Sequence, residues 1–138
     1  RRGVFDNDEE ACKCNQLIFA ILDDIMQFSD YQIKSRATTV YFDAGENFIY
    51  PTLGLAGETG EVVEKIKKLM RNDLVKSAAE IEPEKLTELK KEMGDVLWYL
   101  AQLATELNLS LDEIAEENLT KLLSRKERDV LHSKGDNR

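Results

Sequence analysis

Histidine is almost absent from this 138-residue chain, where His132 stands alone. Imidazole-based zinc binding and Ser-His-Asp chemistry therefore have almost nothing to work with. Cysteine is confined to Cys12 and Cys14. Two are too few for a four-ligand structural zinc site and stand too close in sequence to staple a fold, so reduced thiols are expected. No apolar run approaches the roughly 18 residues that span a bilayer, and no signal-peptide pattern is visible. No membrane partner is expected, and a cytoplasmic setting is. Positive charge is in deficit, 19 Lys and Arg against 27 Asp and Glu for a net charge of −8, which argues against nucleic acid as the main partner. A glycine-rich phosphate loop is missing too, because the glycines of GLAGETG fall inside a helical pattern with no strand before them.

Two acidic helical stretches stand out instead. The first runs from Pro51 to Arg71 and carries Glu58 and Glu61; the second runs from Pro83 to Leu107 and carries Glu92 and Asp95. Residues three apart share a helix face. Counted from the turn of an antiparallel hairpin at about 1.5 Å per residue, all four acids fall in one layer. Around the first helix Leu55, Val62, Val63, Ile66, Leu69 and Met70 gather into an apolar arc with Glu58 at its edge. On the second, Leu89, Met93, Val96, Leu100, Leu103 and Leu107 form the arc and Glu92 lies beside it. One reading has these acids, with Glu64 and Glu88, solvating two surfaces and pairing with Lys65 and Lys68. The other has four facing carboxylates holding a hard divalent cation, Mg²⁺ by preference with Mn²⁺ as substitute. The match of both doublets in depth favours the second.

The length suits one domain with one core. Residues 7–28 read as a first helix, with Asn7 and Glu10 as a capping box and a stripe of Leu17, Ile18, Ile21, Leu22 and Ile25. A short helix follows from Ser29 to about Tyr41, then a loop around Gly45, Asn47 and Pro51. Pro51 and Pro83 each suit the first position of a helix, and Ser110 with Glu113 caps a last one. No strand is expected. The fold class is all-α, a four-helix-bundle-like core with an additional N-terminal helix: residues 1–28 form the extension and residues 29–138 the domain. Trp98 and Ala101 give the second acidic helix another apolar edge, for the N-terminal helix or for a second copy of the chain.

Towards the C-terminus the charge turns basic, and Asn118, Lys121 and Arg125 share a helix face. Amide, ammonium and guanidinium groups on one face suit a phosphate-bearing ligand, although a solvated tail would show the same run.

GLAGETGEVVEKIKK, then KKEMGDVLWYLAQLATELNLSLDEIAEENLTKL, then a KGDNR ending, resemble the MazG-like branch of the all-α nucleoside triphosphate pyrophosphohydrolases. The resemblance covers roughly residues 31–138. It implies cleavage of a nucleoside triphosphate, often a deoxynucleotide, between the α and β phosphates. It also implies Glu58, Glu61, Glu92 and Asp95 as Mg²⁺ ligands, Asn118 and Lys121 as substrate contacts, and Tyr99 on the sugar or base. The chain departs from the broader E-E-x-x-E pattern in carrying Gly57 where the first Glu stands.

The expected activity is Mg²⁺-dependent hydrolysis of a (deoxy)nucleoside triphosphate to the monophosphate and pyrophosphate, in nucleotide-pool housekeeping. With no suitable histidine, a carboxylate is the evident general base, and Glu61 is chosen for it. Lys121 and Arg125 would hold the leaving diphosphate. A homodimer or homotetramer is expected, from the Trp98 edge and from the resemblance. The alternative is a non-catalytic metal- or nucleotide-binding bundle acting as an interaction module.

Overall fold

The structure, a computed structural model, describes residues 26–128. The helix expected over residues 7–28 therefore lies almost wholly outside the described residues, as do Cys12, Cys14, His132 and the KGDNR ending. Within the described residues four α-helices follow one another: α1 (Phe28–Arg36), α2 (Ile49–Asn72), α3 (Pro83–Glu106) and α4 (Leu111–Glu127), with a 3₁₀ turn at Ala78–Glu80 between α2 and α3. Among the described residues there is no strand, and the fold is all-α.

The first helix stops short of the expected Tyr41. Thr38, Thr39 and Val40 are β-branched in succession and lose rotamer freedom in a helix. Here the Thr38 N–H and hydroxyl both turn back to the Ser35 carbonyl, and the Thr39 hydroxyl donates to Gln102 Oε1 at 2.9 Å. α2 begins two residues before Pro51, so this proline stands third in the helix rather than first. It is tolerated there because the first-turn N–H groups have no helical acceptor anyway, and the Asn47 side chain accepts the Tyr50 N–H at 3.1 Å. Pro83 does occupy the first turn of α3 after Glu82. α3 ends where Asn108 takes a left-handed φ of 55°, a conformation asparagine tolerates better than most residues, with the Leu109 N–H closing onto the Ala104 carbonyl at 2.8 Å. Ser110 Oγ then accepts the Glu113 N–H and opens α4.

α2 and α3 form an antiparallel hairpin. Lys85 meets Asp73 at 2.7 Å near the turn, Lys65 meets Glu88 and Glu92 further along, and Gly54 meets Tyr99 near the open end. α1 packs on α3 and on α4, around Ala101, Ala104 and Leu111 with Tyr31 against them. Polar groups hold this junction. Gln32 donates to the Leu109 carbonyl and to Thr105 while accepting the Leu111 N–H, and the Ser29 N–H reaches Asp112. The Trp98 edge packs under the segment after α1: its indole N–H donates to Thr38 at 2.8 Å, and Ala101 is fully buried.

Much of the apolar arc expected on the hairpin is uncovered among the described residues. Val63 is 60% exposed, Met70 64% and Met93 57%, while α4 packs mainly on α1 and meets α3 through Leu111 against Ala101 and Ala104.

Candidate metal centre and its surroundings

The hairpin brings three of the four sequence-selected acids to one point. One carboxylate oxygen from each of Glu58, Glu92 and Asp95 lies within 4.8 Å of the others, on side chains that are half-buried for the two glutamates and exposed for the aspartate. Glu58 and Glu61 come from one turn of α2, and Glu92 and Asp95 from one turn of α3. Glu61 lies outside the group of three and is exposed, yet its charge reaches the cluster. The Glu58 carboxyl is pushed above its ordinary range by burial first, then by the charges of Asp95, Glu61 and Glu92. Like charges held this close favour a cation between them, and three carboxylate oxygens make a donor set suited to Mg²⁺ or Mn²⁺.

One cation of the chain itself already touches the cluster. Lys65, a turn beyond Glu61, reaches Glu92 Oε1 and Glu88 Oε2, each at 3.3 Å, and the Glu92 contact is the main reason its ammonium is held above the ordinary lysine range. Lys68 pairs instead with Glu64. Pairing with lysines and convergence of the acids thus coexist. Beside Glu58 a side chain on Gly57 would meet nothing within 4 Å, so the space where the broader pattern has another Glu is open.

The model of the MazG nucleotide pyrophosphohydrolase domain matches residues 51–130. The chain belongs to the MazG nucleotide pyrophosphohydrolase family. It is also similar to the Gene 37 protein of Mycobacterium phage L5, 42% identical over 118 residues that cover 82% of this chain and all of that protein. No solved structure matches the chain.

The MazG match spans every candidate site residue named from the sequence, and the structure distributes them. Tyr99 stands one helical turn past Asp95, half-buried, and its phenol is raised above the usual range by burial and then by Tyr50, Glu58 and Asp95. It is therefore within electrostatic reach of the acids. Asn118 and Lys121 line a hollow on α4 with Ile114 and Glu117, and Arg125 follows one turn on. No acid of the α2–α3 cluster lines that hollow. Sequence reasoning missed Tyr50, whose ring centroid is 6.4 Å from that of Tyr99, and Gly54, which faces the Tyr99 ring. The available signal was a glycine inside a helix four residues before Glu58, where the lower helix propensity of glycine asks for a reason. Among the described residues no helix is long and apolar enough to cross a membrane.

Proposed function

We propose that this MazG-family chain hydrolyses a (deoxy)nucleoside triphosphate to the monophosphate and pyrophosphate with Mg²⁺ as physiological cofactor, in housekeeping of the nucleotide pool. The observation that carries this reading is the convergence of Glu58, Glu92 and Asp95 within the matched domain. These three would hold the ion, and Mn²⁺ would substitute for it. When bound, the ion supplies charge neutralisation at the phosphate oxygens. Glu61, exposed and beside the three, is the general base. Its carboxylate takes a proton from water as the water oxygen bonds to the α-phosphorus, and the bond from that phosphorus to the bridging oxygen breaks, leaving with pyrophosphate. Tyr99 contacts the nucleoside, and Asn118, Lys121 and Arg125 the outer phosphates.

A second copy of the chain would serve both halves of this reading. It would cover the exposed Val63, Met70 and Met93 of the hairpin, and it would bring an α4 with Asn118 and Lys121 to an acidic cluster none of whose acids lines the hollow beside those residues on their own chain. We propose a homodimer or a larger homo-oligomer with shared sites.

The test is a panel of canonical and modified NTPs and dNTPs with Mg²⁺, read by phosphate released after inorganic pyrophosphatase and by chromatography of the nucleotide. Monophosphate plus pyrophosphate is expected. No turnover across the panel, or release of the γ-phosphate to leave a diphosphate, refutes it.

A further inference from the structure

The glycines inside the two long helices are not alike. A Cβ built on Gly57, Gly60 or Gly94 would meet nothing within 4 Å, whereas one built on Gly54 would overlap Cδ1, Cε1 and Cζ of Tyr99. The ring of Tyr99 thus lies against the backbone of α2 in a space that any side chain at position 54 would fill. Glycine weakens a helix interior relative to alanine, and here that weakness has a steric counterpart. Gly54 stands four residues before Glu58 and Tyr99 four after Asp95. In an antiparallel hairpin both are one turn from the acids, on the same side of them.

Tyr50 lies one turn further along α2. Its ring is tilted by 41° to that of Tyr99, and Trp98 backs Tyr99 edge-on at 4.9 Å. Tyr50 is itself stacked on Tyr41 at 4.8 Å, and Tyr41 is fixed through its hydroxyl by Glu106 at 2.6 Å and Arg36 at 2.7 Å. An aromatic surface is therefore braced from behind and stays 40% exposed at Tyr50.

We propose that Gly54 is a positioning residue that seats Tyr99, and that Tyr99 and Tyr50 together form the wall receiving the nucleoside end of the triphosphate. The inference rests on the function proposed above, in which Tyr99 contacts the nucleoside, and deepens it by naming Gly54 as the residue that seats that ring and Tyr50 as its neighbour in the wall. The acids demand a cation and would take phosphates only through it; the aromatic faces one turn away suit the π face of a base and the apolar edge of a sugar.

The experiment is calorimetric titration of the intact protein, in Mg²⁺, with an α,β-methylene analogue of an NTP and in parallel with inorganic tripolyphosphate, which has no nucleoside. Gly54→Ala is expected to weaken the analogue by about tenfold or more, on the scale of a lost base stack, and to leave tripolyphosphate unchanged. Gly57→Ala, the matched control, binds both as wild type does. Tyr50→Ala weakens the analogue alone. If Gly54→Ala lowers the melting temperature or fails to fold, Gly54→Ala with Tyr99→Ala restores the fold while analogue binding stays weak. The seat is overturned if Gly54→Ala binds the analogue normally, if it loses both ligands together, or if the double variant does not recover the fold. If the variants show this binding pattern while the wild-type protein turns over no NTP, the hydrolytic reading is overturned and the seat stands.

Discussion

Glu106 is the residue whose replacement the structure prices most clearly. Its side chain is fully buried at the end of α3, and four donors converge on it: the Tyr41 hydroxyl at 2.6 Å, the Gly45 N–H at 2.9 Å, the Asn47 N–H at 3.0 Å and the Arg36 guanidinium at 2.8 Å. Burial alone would raise its pKa; the donors outweigh burial and hold it at about 2, against an ordinary 4.5. Ionisation so favoured in the folded state contributes about 3 kcal/mol of stability at neutral pH. Because the folded value is depressed, this contribution is complete above pH 4.5 and is lost as the pH falls through about 2. Glu106→Gln keeps the shape but turns an amide towards Arg36 and leaves the guanidinium without its charge partner. It is expected to lower stability by about 3 kcal/mol and the melting temperature by about 10 °C at pH 7. Thermal and urea unfolding of both proteins from pH 7 to pH 2 is the assay, and the gap between them should close towards the acid end. A gap under about 1 kcal/mol at pH 7, or one that persists at pH 2, refutes the reasoning.

This carboxylate also shows what the sequence left out. The acidic centre was legible because helical periodicity turns sequence spacing directly into shared faces: Glu58 with Glu61 and Glu92 with Asp95 could be placed in one layer by counting from the turn. The capping of α3 and α4 was legible for the same local reason, through Pro83 and Ser110. Glu106 carries no such signal, since its partners lie about sixty to seventy residues upstream, Arg36 at the end of α1 and Tyr41, Gly45 and Asn47 in the loop after it, and only folding brings them to it. Thr38, Thr39 and Val40 ended the first helix early, a propensity effect readable in principle. That Glu58, Glu92 and Asp95 converge without Glu61 was not legible, because counting along the helices places all four in one layer. Nor was the placement of α4. An amphipathic stripe states that a helix packs, and is silent on which neighbour it packs against.

The remaining expectations turn on that acidic centre and on α4. Asp95→Asn removes one of three converging acids, so it should raise the melting temperature of the metal-free protein and abolish the upward shift on adding Mn²⁺; an unchanged Mn²⁺ shift removes Asp95 from the ligand set. Glu61→Gln should keep that shift and lose turnover, and loss of both together would make Glu61 a ligand instead. Lys65→Met withdraws the ammonium paired with Glu92, which should lower metal-free stability and tighten Mn²⁺ several-fold, both by thermal shift; equal or weaker Mn²⁺ binding counts against competition between the ammonium and the metal. Light scattering at micromolar concentration should give a dimer or larger, and a monomer mass would remove the second copy from the proposal. If copies share sites, Lys121→Met should raise KM for the triphosphate about tenfold through loss of a charge-assisted contact, with helical content unchanged. Neither Lys121→Met nor Asp95→Asn alone should then be fully active at triphosphate concentrations below KM, because each impairs every site of its own oligomer. Mixed subunits will contain some sites with an intact acidic cluster from one chain and an intact α4 from the other. Activity recovered on mixing the two variants, above the sum of the two alone, is the expected result; recovery no greater than that sum places Lys121 and the acids of each site on the same chain.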